Sequence, residues 1–354
     1  MKEMQKVTSY HLSILKRVGM GVVEISKGGS SLEEKEVRLF SEPLYPSIKP
    51  NSLEVQLVQS KPLRRLKHLA HYGAGSLVSP VVHSRFEHTV GVWKLAAYYY
   101  PEDIELRIAA LLHDIGHLPF SHAVENTLKF NHHQLTEQYI LENDVFAILH
   151  QFNMDPHKII AILNKPSVIT GKDNILGIDH LDSFFRDTYM AGTLEILPKH
   201  ILHKIRCTSK GIDTDIETGH YLLQLILSDH KLFLSPEMVA VDRLLAEAIK
   251  LHFSVDTMTK QEFARLTDSD VLAMLKASPS REAKELINTL LFNPHKFRIN
   301  QHQTGKGYPI NIRKIYSKVP LNDGKPLTEH SQKAKNIVDD LQNLSFESEV
   351  LITS

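Results

Sequence analysis

His113-Asp114-Ile115-Gly116-His117-Leu118-Pro119-Phe120-Ser121-His122 is the stretch that decides how this chain reads. It sets an adjacent imidazole and carboxylate directly after Ile108-Ala109-Ala110-Leu111-Leu112, a run apolar on every side, so the pair belongs at the inner end of a buried helix. A lone His-Asp dipeptide carries little meaning in a chain with 21 histidines. Its bland reading is a satisfied, half-buried imidazole beside a solvated or capping carboxylate. Here the carboxylate has no evident partner, and burying it unpaired carries a heavy desolvation penalty that a cation would remove. The spacing puts His113 and His117 at i,i+4 and Asp114 and His117 at i,i+3, so a helix carried on to His117 gives them one face. Gly116 and Pro119 end that helix, and His122 rides on the next turn or helix.

Working outward, Phe86, Val90, Trp93 and Ala97 recur at helical spacing as a core stripe, and His88, Val92, Leu95 and Tyr99 form a second stripe that aims His88 inward. Pro101-Glu102-Asp103 breaks this helix and starts the next. Another helix begins near Pro62, with Leu63, Leu66 and Leu69 as its buried side. Its basic residues Arg64, Arg65, Lys67 and His68 form either a solvated face or, lying just before His88, a phosphate-facing one. Leu53, Val55 and Leu57 alternate with polar residues and suggest a short strand. Taken in order, His88, His113–Asp114 and Asp179 read as one metal site. Two imidazoles and two carboxylates suit Mn, Fe, Ni, Zn or Mg. Such an ion can activate a water and offset charge on a phosphoryl group.

Three blocks carry a family resemblance: Ser84-Arg85-Phe86-Glu87-His88-Thr89-Val90-Gly91-Val92, the His113–His122 stretch, and Asp179-His180-Leu181-Asp182-Ser183-Phe184-Phe185-Arg186-Asp187. In this order they resemble the HD-domain phosphohydrolases, and within them the branch of deoxynucleoside triphosphate triphosphohydrolases, over roughly residues 41–255. The resemblance implies a divalent metal held by His88, His113, Asp114 and Asp179. It implies catalytic and phosphate-facing imidazoles at His117, His122 and His133, and a substrate-phosphate contact at Arg85. Substrate-reading positions would be His68, His180, Ser183 and Asp187. Several of these depart from the pattern. Lys67-His68-Leu69-Ala70 stands where relatives carry Lys-Gln-Leu-Gly, so the glutamine for the sugar 3′-hydroxyl is absent. His180 and Ser183 replace a Lys and a Tyr, the latter of which helps exclude a 2′-hydroxyl. His133-Gln134 replaces a His-Glu pair, and Leu232-Phe233-Leu234-Ser235-Pro236-Glu237-Met238-Val239 stands in place of a Tyr/His/Arg-rich, phosphate-gripping helix.

The 354 residues, 42% of them hydrophobic, can bury a full core, and the formal net charge of zero sets up no global field for nucleic acid or an acidic membrane. Cys207 is the sole cysteine, which excludes an intrachain disulfide framework and a thiolate metal cluster. No apolar run approaches bilayer length and the first residues lack a secretory apolar region, so a cytoplasmic location is the expectation. Residues 155–255 read as helical. After about residue 290, Phe297-Arg298-Ile299, Tyr308 to Tyr316 and Val319-Pro320-Leu321 alternate like strands, Asn322-Asp323-Gly324 signals a turn, and Ser331 to Leu341 reads as a final helix. The expected fold is mainly α, an HD-domain helical bundle with a small C-terminal α+β subdomain. Its divisions are a 1–40 extension, a 41–255 phosphohydrolase domain and a 256–354 helical and α+β subdomain.

The function so implied is metal-dependent hydrolysis of a nucleotide, with a dNTP cleaved to deoxynucleoside and triphosphate as the first reaction to test. A nucleotide-binding regulator with little turnover and a hydrolase of another phosphoester are the rivals. By resemblance the chain forms a homo-oligomer, and its partner is a nucleotide or small phosphoester rather than a membrane or nucleic acid.

Overall fold

A computed structural model describes residues 38–312 and 314–353. All but the last three residues of the 1–40 extension therefore lie outside the described residues. The architecture is mainly α with small sheets, as expected, and its apolar side chains gather into two clusters.

The first cluster is built on α1 (Ser52–Gln59), α2 (Lys61–Arg65), α3 (Arg85–Tyr99) and α4 (Ile104–Leu112). Where alternation suggested a strand, α1 is a helix. Asn51 accepts from the Glu54 amide at 2.9 Å while the Glu54 carboxylate accepts from the Asn51 amide at 2.7 Å, a capping box that fixes the helical start. Leu53, Leu57 and Val58 then share the buried side. Both stripes foreseen on α3 are buried up to Leu95 and Ala97, and Ile108 to Leu112 on α4 are fully buried. Helix α4 stops at Leu112, before the His-Asp pair, rather than running on to His117. The loop is instead tied sideways to a neighbouring helix: the Gly116 amide donates to Thr136 Oγ1 at 3.2 Å, and Thr136 Oγ1 donates to the His113 carbonyl at 3.3 Å. A Cβ at Gly116 would overlap backbone atoms of His132 and Thr136, so the contact needs glycine.

Helices α5 (His122–Leu128), α6 (His132–Leu141), α7 (Asn143–Gln151) and α8 (Pro156–Leu163) follow, then α9 (Ile178–Met190), which packs on α3. The region read as helical contains a hairpin, β1 (Ile205–Thr208) and β2 (Gly211–Thr214), closed by Ser209-Lys210. Helix α10 (Ile216–Phe233) packs on α9.

The second cluster is centred on α11 (Pro236–Phe253), flanked by α12 (Lys260–Ala264), α13 (Asp268–Ala277) and α14 (Arg281–Phe292). A three-stranded antiparallel sheet joins it, with β7 (Glu347–Ile352) between β3 (Phe297–Asn300) and β4 (Tyr308–Asn311). The tail also returns to the first cluster. β5 (Leu321–Asn322) pairs parallel with β2 and antiparallel with β6 (Lys325–Pro326), and α15 (Gln332–Gln342) packs on α10. Asp323 and Gly324 both have positive φ, the backbone of the expected turn.

The His113–Ser121 loop crosses the seam between the clusters, since Ile115 belongs to the first and Leu118 and Phe120 to the second. Arg65 locks that seam. Its guanidinium donates to the carbonyls of His117 (2.9 Å), Ala264 (2.7 Å), Arg265 (3.2 Å) and Leu266 (3.0 Å), a structural clamp rather than a phosphate ligand. Arg64 and Lys67 lie over the Phe86 ring on the exposed face.

Candidate metal centre

The loop after α4, the first turn of α3 and the first turn of α9 deliver the four residues named from sequence to one place. His88 Nδ1 donates to Asp182 Oδ2 at 2.8 Å and His113 Nδ1 donates to the Ala110 carbonyl at 2.8 Å. Each bond fixes a tautomer and turns the Nε2 lone pair inward. The two Nε2 atoms stand 3.3 Å apart. Asp179 Oδ1 is 3.1 Å from the first and 3.7 Å from the second, and Asp114 Oδ1 is 3.5 Å from His113 Nε2. Donors bonded at about 2.1 Å to one ion sit ~3.0–3.4 Å apart at right to tetrahedral angles. His88, His113 and Asp114 offer donor atoms within 4.8 Å of one another and Asp179 closes on both imidazoles, so the donor set suits a divalent cation after a few tenths of an ångström of closure.

The surrounding charges are arranged to keep both carboxylates ionised. Burial pushes Asp114 up, but His117, His113 and Arg85 outweigh it and hold its carboxyl well below the usual range. Asp179 is likewise held low against burial by His113 and His88. Arg85 donates to Asp114 Oδ2 at 2.7 Å and to Ser121 Oγ at 2.7 Å, while His117 Nε2 lies 3.1 Å from Asp114 Oδ1. Burial opposes protonation of His88, yet Asp179 and Asp182 outweigh it and lift the imidazole to about 9, so its Nε2 draws a positive charge, for which a proton and a cation would compete. Phe120 and Ser121, both non-glycine, have φ of 54°, a conformation costing roughly 1–3 kcal/mol each. The Phe120 amide is anchored to Asp268 Oδ1 at 2.8 Å, which helps hold the strained loop that aims Ser121 at Arg85.

Behind the ligands lies a buried charge relay that sequence reading did not assign. Asp182, fully buried, receives His88 on one oxygen and the Arg186 guanidinium on both, at 2.9 Å each. Arg186 reaches on to Glu42 at 3.4 Å. Gly91 makes room for this pair, because a Cβ there would fall onto Asp182 Oδ1 and Arg186 Nη2. The i,i+3 spacing of Asp179 and Asp182 and the i,i+4 spacing of Asp182 and Arg186 were the available signal.

The four donors open onto a cavity of about 910 Å³ at the cluster seam. Arg85, His117, His133, His180, Ser183 and Asp187 all line it. His68 does not: it stands exposed at the end of a tight helical turn, so the structure brings no side chain from that position into the cavity. His122 opens α5, and its side chain lies outside the described residues. His117 stacks under His132, a residue given no role from sequence, at 4.3 Å between ring centres. Burial lowers His133, and lowers His180 to about 4. The Leu232–Val239 stretch is the α10–α11 corner, and it supplies the apolar wall of Phe233, Leu234, Met238 and Val239.

The tail supplies wall residues that no local pattern announced. Residues 311 and 314–318 line the cavity, pinned by the Tyr316 amide to His230 Nε2 (3.0 Å) and by the Val319 amide to the Asn174 carbonyl (2.8 Å). Lys318 donates to the Asp173 carbonyl at 2.8 Å, Lys314 sits 4.2 Å from the Tyr316 ring centre, and Tyr316 packs 5.3 Å from His180.

Residues 85–174 match the family model of the HD domain. The chain is 27% identical over 243 residues to the uncharacterized protein YdhJ of Bacillus subtilis, covering 66% of this chain and 74% of that one. It is 25% identical over 297 residues to the deoxynucleoside triphosphate triphosphohydrolase SAMHD1 homolog of Dictyostelium discoideum, covering 71% of this chain and little more than half, 57%, of that protein. A crystal structure of a hypothetical protein from Aquifex aeolicus superposes with a TM-score of 0.65 at 23% identity, covering 88% of this chain and 95% of the other, which shows a shared fold. No helix among the described residues is long and apolar enough to cross a membrane. His88, His113 and Asp114 converge inside the span that matches the HD-domain model, and Asp179 joins them from just beyond it.

Proposed function

We propose that this protein is a divalent-metal-dependent phosphohydrolase whose ligands are His88, His113, Asp114 and Asp179 and whose substrate is a nucleotide. The observation that carries the reading is the convergence of four buried or half-buried donors, two of them tautomer-locked imidazoles, on one wall of a nucleotide-sized cavity. A divalent ion held there supplies Lewis-acid polarisation of a phosphoryl oxygen and acidifies water.

The chain's own residues do the remaining work. Arg85, fixed by Asp114 and Ser121, sets a guanidinium against the site for a phosphate oxygen. His117, held neutral by burial and by the adjacent Arg85, orients Asp114. His133 stands at the open side; its lowered affinity for protons keeps it neutral and available to accept one from water, and makes the protonated ring a ready donor to the leaving oxygen. Lys314 and Lys318 offer ammonium groups to the distal phosphates. Ser183 faces the sugar. The name of the Dictyostelium relative supports a dNTP substrate with triphosphate as product.

A regulatory nucleotide-binding role is the second reading, favoured by the apolar wall at Phe233, Leu234, Met238 and Val239. Purified protein incubated with nucleotides and small phosphoesters, with Mn, Mg, Co, Ni or Zn in turn, separates the two. Intact triphosphate as product supports the dNTPase-like reaction, stepwise orthophosphate moves the protein to another phosphoester, and tight binding without turnover supports the regulator.

A further inference from the structure

We propose that His71, His83 and Asp187 form a second cation site, set beside the first across the His88 ring. Asp187 Oδ1 lies 3.4 Å from His83 Nε2 and Asp187 Oδ2 lies 3.7 Å from His71 Nε2. One donor atom from each of the three residues falls within 4.8 Å of the others. These donors stand within a few tenths of an ångström to about 1.5 Å of the spacing around one ion, and two imidazoles with a carboxylate suit a transition metal such as Mn, Fe, Co or Zn.

A second observation points to a ligand. Both ring nitrogens of His83, whose side chain is 4% exposed, lack a hydrogen-bond partner, as do Asp187 Oδ1 and His71 Nδ1. Buried polar atoms are nearly always satisfied, and leaving one unsatisfied costs roughly 1–3 kcal/mol. Of these atoms His83 Nε2 and Asp187 Oδ1 face each other at 3.4 Å, and a cation between them would satisfy both, with His71 Nε2 as the third donor. The nearby Arg186 guanidinium does not answer the need, being held by Asp182. His71 and Asp187 line the cavity, so the site opens to the same space as the first. The His71 and His88 ring centres are 4.7 Å apart, so the two donor groups are neighbours in one cavity. The site's existence is independent of the phosphohydrolase reading, but its role rests on that reading: paired cations clamp attacking and leaving oxygens of a displacement.

The test is stoichiometry. Full-length protein is stripped with chelator and titrated with Co(II), reading visible d–d absorption, with equivalents counted as wild type minus variant so that surface histidines cancel. Asp187→Asn and His71→Asn, checked for folding by circular dichroism, should each lose one equivalent. Asp114→Ala should lose a different one, leaving the second site titratable. A wild type that matches both Asp187→Asn and His71→Asn while exceeding Asp114→Ala overturns this proposal and leaves the phosphohydrolase reading standing. Loss in those two variants but not in Asp114→Ala keeps this site and sinks the four-residue centre. No difference in any variant sinks both.

Discussion

Asp182→Asn tests how the buried relay behind the ligands works. Three N–H groups converge on two carboxylate oxygens: His88 Nδ1 and Arg186 Nε on Oδ2, and Arg186 Nη2 on Oδ1. An amide can keep its oxygen toward the first two, but its NH2 then faces a guanidinium donor. One charge-assisted bond worth about 1.5–3 kcal/mol is lost, and Arg186 keeps its Nε bond to the amide oxygen but only the 3.4 Å contact with Glu42 as an ion pair. The expected destabilisation is about 2–4 kcal/mol, read from urea unfolding. The imidazole also loses the anion that fixes its tautomer and raises its basicity, so affinity for Mn(II) by equilibrium dialysis should fall about 10–100-fold. Affinity within about threefold of wild type would refute the claim that Asp182 tunes the centre.

Gly91→Ala would raise helix propensity by about 1 kcal/mol at an exposed site. Here the methyl meets Asp182 and Arg186, so unfolding should instead show a loss of several kcal/mol and weaker metal binding; a neutral or stabilised variant contradicts the packing. Asp268 is raised to about 6 by burial, against backbone amides that lower it, from an ordinary value of 3.8. Its folded form binds the proton more tightly, so its contribution to stability is fully present below about pH 4. That contribution falls as pH rises to about 6, by at most about 3 kcal/mol. Urea unfolding should show the gap between wild type and Asp268→Asn narrowing across that window, and a constant gap would contradict it. Ser183 leaves room for a 2′-hydroxyl, so kcat/KM for paired NTP and dNTP substrates should differ by about 100-fold or less. A much larger deoxy preference would assign the exclusion to another residue, with Tyr316, lining the cavity beside His180, the first to mutate.

The convergence of the four candidate donors was legible because they sit at or just beyond the ends of strongly periodic helices, where burial of the stripe dictates direction. His88 points inward for the same reason that Val92 and Leu95 do. Helix α1 was misread because Leu53, Val55 and Leu57 alternate while the decisive signal lay in the Asn51–Glu54 cap. The 205–214 hairpin has strands of four residues, too short for a period to emerge. His71 and His83 lie outside the regular helices, meeting only because the His71 amide bonds the His83 carbonyl at 2.9 Å. Lys314, Tyr316 and Lys318 reach the cavity through tertiary contacts with residues 173–176 and 230, which no local pattern encodes.

The central claim is that phosphoester hydrolysis depends on an ion held by His88, His113, Asp114 and Asp179. It is tested most directly by returning Mn(II) to chelator-stripped protein while phosphate-product release from the nucleotide panel is recorded for wild type and Asp114→Ala. The account predicts release that rises from background with added metal in wild type and stays at background in the variant. Equal release by the two proteins, or release indifferent to metal, would contradict it.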